Sequence, residues 1–118
     1  MLQCQNPDDI HGLFIVALLK HDLDGALSLY ADDAAFVVGA EGKAVRDRPA
    51  IREQLKKFET IASTMELVSK SVIPCGDVAQ VVMRWRRSDT GEQYTAIDVL
   101  RRNSEGHWQF LIDNPYGQ

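Results

Sequence analysis

Two aspartates in the last quarter of the chain are the side chains best suited to chemistry. Asp98 stands in the apolar run 96–100, although aspartate is depleted in β-strands. A carboxyl group buried among apolar side chains has a raised pKa, and in its protonated form it can donate a hydrogen bond to a ligand oxygen. The pattern predicts a functional acid at Asp98. The alternative is an aspartate that a neighbouring side chain holds for structural reasons.

Asp113 is the second candidate catalytic residue. Strand pairing predicts that it lies diagonally opposite Asp98 on the same sheet face. Two carboxyl groups there can share one proton, or one of them can act as a base. The segment Asp113-Asn114-Pro115 also fits a turn that closes the last strand. The sequence leaves the catalytic and the turn interpretations of Asp113 open.

The histidines and cysteines give weaker signals. His21 lies at the junction of two predicted helices, from which it can reach a pocket mouth, whereas His11 and His107 are predicted to lie on the surface. Neither the histidines nor Cys4 and Cys75 have the spacing of metal ligands. No glycine-rich phosphate loop follows a predicted strand. We therefore expect no metal site and no cofactor.

Length and composition exclude several classes of protein. The chain has 118 residues, 45% of them hydrophobic, which predicts one domain over residues 1–118. Its net charge of −4 argues against binding to nucleic acid or to anionic membranes, since both require a basic surface. The longest apolar run, 13–19, is too short to span a bilayer. Two cysteines without a disulfide pattern indicate a reducing, cytoplasmic location.

The elements that must position these residues are helices first and strands afterwards. Asn6 and Pro7 mark the start of a first helix, Asp22 caps a second that carries Tyr30, and Pro49 opens a third over about 48–61. A short strand is predicted at 35–38, and the chain then gives four strands at 67–73, 78–87, 93–102 and 107–113, joined by short polar turns. This order predicts an α+β fold, with three N-terminal helices packed on one face of a curved, mostly antiparallel sheet.

Strand register sorts the side chains into two faces. We pair Arg87 with Glu92 and Arg102 with His107, which places Asp98 opposite Val81 and Leu111 on the inner face. The outer face then carries an apolar set that the helices cannot cover: Ile97, Val99, Trp108, Phe110 and Ile112. A second copy of the chain is the simplest cover. The sequence therefore predicts a homodimer through this face.

Four segments resemble the nuclear transport factor 2-like superfamily, and in particular its small ketosteroid isomerase-like and polyketide cyclase-like domains. They are 22–34 (DLDGALSLYADDA), 48–53 (RPAIRE), 96–101 (AIDVLR) and 112–117 (IDNPYG). The resemblance implies the cone-shaped fold of that superfamily, with an apolar pocket between helices and sheet. It does not imply a reaction, because this fold hosts enzymes, binding proteins and transport adaptors.

The resemblance also implies where the three catalytic positions of ketosteroid isomerases fall in this chain. The position of the tyrosine falls on Phe14, that of the catalytic base falls on Val38, and only the buried acid is kept, as Asp98. Without the base there is no proton transfer by that route, and without the phenol one oxyanion donor is missing. The resemblance therefore implies that the protein is not a true steroid isomerase.

The predicted pocket combines the inner sheet face with the apolar sides of the helices. Its lining residues are Phe14, Leu18, Tyr30, Val38, Leu55, Phe58, Val81, Met83, Trp85, Tyr94 and Leu111. For Trp85 and Tyr94, a cross-strand aromatic pair of the core is the preferred interpretation, with the Tyr94 hydroxyl as an alternative ligand contact. The expected partner is a small hydrophobic molecule. Function is either that of an isomerase, cyclase or hydratase acting on a hydrophobic carbonyl compound, or that of a non-catalytic ligand-binding or dimerising adaptor protein.

Overall fold

The computed structural model describes residues 2–118, which form three helices packed against one sheet. The helices are α1 (Ile10–Leu19), α2 (Leu23–Ser28) and α3 (Arg48–Glu59). The strands are β1 (Tyr30–Val37), β2 (Ala44–Val45), β3 (Met65–Cys75), β4 (Val78–Arg87), β5 (Gln93–Arg102) and β6 (Trp108–Asp113). The predicted α+β class is confirmed.

Side-chain caps fix where the N-terminal elements begin. Asn6, Asp22 and Asp47 each accept a hydrogen bond from a backbone N–H two or three residues further on, at 2.8–3.1 Å. A cap of this kind satisfies one of the free N–H groups at a helix start and stabilises the helix by about 1 kcal/mol. The cap of Asn6 opens a 3₁₀ turn, Pro7–Asp9, that leads directly into α1.

The sheet is antiparallel except for one pair of strands. Its order is β2-β1-β6-β5-β4-β3, and β1 runs parallel to β6. The helices cover one face, and the buried core lies between them and the central strands. None of the helices within residues 2–118 is long and apolar enough to cross a membrane.

The register between β4 and β5 is the predicted one. Trp85 pairs with Tyr94, and Val81 pairs with Asp98. The aromatic rings of Trp85 and Tyr94 lie 4.4 Å apart between centroids, so the predicted cross-strand pair is confirmed. This register turns Asp98 toward the helices.

The register between β5 and β6 differs from the prediction by one residue at the hairpin. The side chain of Asn103 accepts hydrogen bonds from the N–H groups of Glu105 and His107, both at 3.0 Å, which builds a tighter turn. Asn103 therefore lies opposite His107, and Arg102 pairs with Trp108. The prediction that Trp108 and Phe110 lie on the outer face is wrong, because this shift turns both rings into the core.

A β-bulge in β6 restores the predicted orientation beyond Phe110. Leu100 pairs with Phe110, but the next pair joins Val99 to Ile112, so Leu111 is the extra residue. Ile112 consequently faces outward and Asp113 faces the core. A bulge inserts one residue into one strand and so lets two residues three positions apart point to the same side. The bulge is what brings Asp113 onto the inner face together with Phe110.

Candidate functional site

Asp98 lies on the inner face of β5, and both of its carboxylate oxygens have partners. Its side chain is 1% exposed. Oδ2 lies 2.7 Å from Nε2 of His11, and Oδ1 accepts a hydrogen bond of 2.8 Å from the backbone N–H of Asn114. The C-terminal segment after β6 therefore holds the orientation of the carboxylate.

His11 is the partner that the sequence did not reveal. It lies in the first turn of α1, is only 4% exposed, and contacts the ring of Phe110 edge-on at 5.5 Å between centroids. Its Nδ1 is buried and has no hydrogen-bond partner within residues 2–118. Buried polar atoms in native proteins are almost always paired, so this imidazole nitrogen is free to pair with a water or a ligand.

Asp113 is held by Tyr30, the first residue of β1. The phenol of Tyr30 donates a hydrogen bond to Oδ2 of Asp113, and both side chains are buried. The backbone around Tyr30 is fixed in turn by the guanidinium group of Arg48, which donates to the carbonyl oxygens of Leu27 at 2.9 Å and of Tyr30 at 3.2 Å. Helix α3 thus anchors the strand that positions Asp113.

These polar groups line a small cavity between helices and sheet. Its volume, counted as space for the centres of water molecules, is about 30 Å³, enough for one or two waters. Three polar side chains meet apolar and aromatic ones in its wall. The lining residues are His11, Phe14, Ile15, Phe58, Met65, Leu67, Met83, Trp85, Ala96, Asp98, Phe110, Asp113 and Pro115.

Burial decides the protonation states in the cavity. It lowers the pKa of His11 to about 4 and raises the pKa of Asp98 to about 6, the latter against the hydrogen bond from Asn114. Burial, followed by the charge of Asp98, raises the pKa of Asp113 well above its ordinary value. At neutral pH these shifts favour a neutral imidazole at His11 and an ionised Asp98, and burial favours the protonated form of Asp113.

The ionised Asp98 selects one tautomer of His11. A carboxylate oxygen 2.7 Å from Nε2 requires the proton on Nε2, because a lone pair at that position would face the negative charge. Nδ1 is then left without a proton, and it is the nitrogen that has no partner. The arrangement can remove a proton from a molecule in the cavity, and Asp98 stabilises the imidazolium that forms.

The structure brings six of the predicted site residues to the cavity. Phe14, Phe58, Met83 and Trp85 line it, together with Asp98 and Asp113. Four other predicted lining residues are buried in the surrounding core without reaching the cavity: Leu18, Tyr30, Leu55 and Val81. Among these, Tyr30 contributes indirectly, through Asp113.

Four predictions of placement are wrong. Val38 follows the end of β1 and is 45% exposed, so it cannot stand for a catalytic base. Leu111 is the extra residue of the β6 bulge and lies against a groove on the outer face. The hydroxyl of Tyr94 donates to Glu92 at 2.8 Å instead of facing a ligand. The side chain of His21 is 78% exposed and lies beside Glu59, away from the cavity.

No group of three or more His, Cys, Asp or Glu side chains able to hold a metal ion is present between residues 2 and 118. The polar groups of the cavity are instead arranged as hydrogen-bonded pairs.

Comparison with protein families identifies the family of the chain. The family model described as the SnoaL-like domain matches residues 13–110, which is most of the chain. The chain belongs to the SnoaL-like domain family. No curated protein matches it significantly.

Solved structures with low sequence identity share the fold of this SnoaL-like domain. A protein from Parabacteroides distasonis, described as a candidate ketosteroid isomerase, has a TM-score of 0.70 at 15% identity, covering 91% of this chain and 83% of its own. A protein of unknown function from Pseudomonas putida, described as NTF2-like, has a TM-score of 0.66 at 20% identity, covering 90% and 80%. These similarities confirm the nuclear transport factor 2-like fold and say nothing about chemistry.

One sequence signal in the SnoaL-like domain could have revealed His11. His11, Phe14 and Leu18 have the i, i+3, i+7 spacing of one helix face, and all three are buried. The prediction of a surface position for His11 is wrong because the helix is apolar on nearly all sides. Hydrophobicity alone therefore does not show which side of α1 is buried.

The opposing pKa shifts predict how the stability of the SnoaL-like domain changes with pH. A lowered folded pKa for His11 stabilises the fold above pH 6.5, and this contribution is lost as the pH falls toward about 4. Raised folded pKa values for Asp98 and Asp113 act in the opposite sense: they stabilise below 3.8, and the contribution of Asp98 is lost as the pH rises to about 6. In the wild type, the stability that His11 contributes with rising pH therefore offsets the stability that is lost through one of the two acids.

We expect His11→Gln to remove this compensation. Between about pH 4 and pH 6, its free energy of unfolding should fall more steeply with rising pH than that of the wild type, by about 1.4 kcal/mol per pH unit. Urea unfolding at several pH values measures both slopes. His21→Gln, at the exposed histidine, is the matched control and should follow the wild type. Parallel curves for His11→Gln and the wild type would contradict the proposed buried, neutral state of His11.

Proposed function

We propose that this protein binds a small hydrophobic carbonyl compound in the cavity and moves a proton on it, with Nδ1 of His11 as the general base. The single observation that carries the proposal is the buried, unpartnered Nδ1 beside the Asp98 carboxylate. A histidine that acts as a general base needs an unprotonated nitrogen at neutral pH, a defined tautomer and a group that stabilises the charge it acquires. His11 meets all three conditions.

The proposed step is removal of a proton from the carbon next to a carbonyl group. Nδ1 of His11 takes the proton, the C–H electron pair moves into the enolate, and Asp98 stabilises the resulting imidazolium. Burial raises the pKa of Asp113 and so favours its protonated form, which lines the same cavity and can donate a hydrogen bond to the enolate oxygen. Where a neighbouring C=C bond extends the enolate, return of the proton from the imidazolium to the far carbon completes an isomerisation; where a β-hydroxyl group is present, the enolate electrons expel it and the imidazolium proton releases it as water, which completes a dehydration.

The size of the cavity limits the ligand. A space of about 30 Å³ holds one or two waters, so any organic ligand needs side chains of the wall to rotate aside, and the four fused rings of a steroid need far more displacement than a short compound does. With Val38 exposed and Phe14 in place of a phenol, the chain lacks two of the three groups that the resemblance to ketosteroid isomerases implies. We therefore place the ligand among compounds with a short apolar body, held by the aromatic rings of Phe14, Phe58 and Trp85.

Ligand binding has a direct readout in Trp85. This side chain lines the cavity, and its indole N–H donates to the carbonyl oxygen of Pro115 at 3.0 Å. Adding cyclohexanone should shift the indole N–H resonance of Trp85 saturably, while that of Trp108, which does not line the cavity, stays in place. Binding without any deuterium exchange on the ketone would favour the non-catalytic binding protein. No shift at all would favour the dimerising adaptor.

We also propose a homodimer through the outer sheet face, on a smaller apolar surface than the sequence predicted. Ile97, Val99 and Ile112 remain on this face, and Val82 of β4 lies beside them. Charged side chains surround them, including Arg101 in its ion pair with Asp33. An apolar centre with a charged rim is the composition expected of a protein interface.

The dimer is tested with one variant on each of two faces. Val99→Lys should weaken dimerisation by on the order of 100-fold, because each subunit would bury an unpaired ammonium group. Val16→Lys, on the exposed side of α1, should leave the dimer unchanged. Analytical ultracentrifugation at micromolar concentration gives both masses. A wild-type protein that sediments as a monomer would contradict the dimer.

A further inference from the structure

A surface groove adjoins the cavity at the edge of the sheet. The groove has a volume of about 210 Å³ and is lined by Leu67, Val68, Ser69, Lys70 and Met83. Leu67 and Met83 belong to the walls of both the groove and the cavity. Because these two side chains belong to both walls, they form the partition between the groove and the cavity.

The two side chains of the partition lie where the packing is loose. The pairing of β3 with β4 shifts by one residue between Leu67 and Ser69, so the strand bulges at this point. Leu67 is 43% exposed although it lines the cavity. Methionine has three rotatable side-chain bonds and adapts easily to changes in packing. Because Leu67 and Met83 stand between the groove and the cavity, rotation of these two side chains would join the two spaces.

Lys70 places a positive charge in the groove. Its ammonium group donates to the backbone carbonyl of Asp8, in the 3₁₀ turn that precedes α1, and no carboxylate lies within 4 Å of it in the described part of the chain. Burial is the main cause that lowers the pKa of His11, and the charge of Lys70 adds to it. The ammonium group is therefore within electrostatic reach of the cavity, and its charge is not neutralised by a side chain.

We infer that the ligand is an amphiphile with a carboxylate at one end, which Lys70 binds in the groove while the apolar body passes between Leu67 and Met83 toward His11. This inference rests on the proposed function of the cavity and adds the ligand's second functional group. An ammonium group hydrogen-bonded only to a backbone carbonyl keeps two donors for an anion. A carboxylate held there leaves the carbonyl end of the same molecule facing His11 and Asp113, so a short oxo-carboxylate satisfies every polar group along the path.

Binding of a carboxylate by Lys70 can be distinguished from the binding of apolar molecules in general. Hexanoate and hexan-1-ol have the same carbon chain and differ in the charge of the end group, so they form a matched pair of probes. We expect the wild type to bind hexanoate about fivefold more tightly than hexan-1-ol at low ionic strength, as for one partly exposed ion pair. Salt should reduce the preference, because exposed charges are screened.

Variants of Lys70 assign the preference to this side chain. Lys70→Gln should lose the fivefold preference, Lys70→Arg should keep it, and Lys57→Gln, on the exposed side of α3, should behave as the wild type. Hexan-1-ol should bind all four proteins equally. The Trp85 indole resonance reports each titration from inside the cavity. Equal binding of the two probes to the wild type, or a preference that persists in Lys70→Gln, would overturn the role of Lys70 and leave the cavity function standing. No response of Trp85 to either probe would overturn both.

Discussion

His11→Gln should reduce base-catalysed exchange by about 10²–10⁴-fold, the usual contribution of a positioned general base. Glutamine is close to histidine in length and can still donate to Asp98 through its amide, but it has no nitrogen lone pair that accepts a proton. The measurement is deuterium incorporation next to the carbonyl group of cyclohexanone in D₂O, followed by NMR. It requires no knowledge of the natural substrate.

The pH dependence of the same exchange reaction provides an internal check. Below about pH 6, Asp98 becomes protonated and can donate to Nε2 of His11, which moves the imidazole proton to Nδ1 and removes the base. Exchange by the wild type should therefore decline on the acid side of about pH 6, with the two groups titrating as a pair. His21→Gln should leave rate and profile unchanged. An undiminished rate in His11→Gln would show that another group abstracts the proton.

Asp98→Asn should raise the stability of the protein at neutral pH and lower its activity. The amide keeps the shape of the carboxyl group, accepts from the N–H of Asn114 and donates to Nε2 of His11. Because burial raises the pKa of Asp98 to about 6 from 3.8, the ionised form costs stability at neutral pH. Removing the charge should raise the free energy of unfolding by up to about 3 kcal/mol near neutral pH, and the gain should vanish below about pH 4.

The same substitution should abolish most of the exchange activity. Donation from the new amide to Nε2 forces the proton of His11 onto Nδ1, so the base is present in the wrong tautomer, and we expect a loss on the order of 10²–10⁴-fold. Asp33→Asn, at an exposed carboxylate paired with Arg101, is the control and should change neither property comparably. Denaturation curves and exchange rates for the two variants provide the comparison. A destabilised Asp98→Asn protein at neutral pH would contradict the pKa shift.

Local signals in the sequence are sufficient to predict most of the fold. Asn6 and Asp22 predict where helices start, because a cap depends only on one side chain and the next few backbone groups. The β4–β5 hairpin follows from alternation and a short turn, which places Asp98 on the inner face. Burial of Asp98 and its raised pKa were therefore predictable before any partner was known.

The remainder depends on contacts that a sequence pattern does not encode. The prediction for Trp108 and Phe110 is wrong because a side chain, Asn103, tightened the hairpin by one residue, and one residue of shift reverses the faces of a strand. The partner of Asp98 lies 87 positions away in the sequence. Only packing of α1 against β5 brings His11 to it, so the pair at the centre of the site becomes visible only in three dimensions.

The protonation state of His11 is the most direct test of the proposed chemistry. Long-range ¹H–¹⁵N NMR of the imidazole distinguishes the neutral Nε2–H tautomer, the neutral Nδ1–H tautomer and the imidazolium ion. We predict that at neutral pH the ring of His11 is neutral with its proton on Nε2, and that Asp98→Asn moves the proton to Nδ1. An imidazolium ion at neutral pH, or a wild-type ring that carries its proton on Nδ1, would contradict the assignment of His11 as the base.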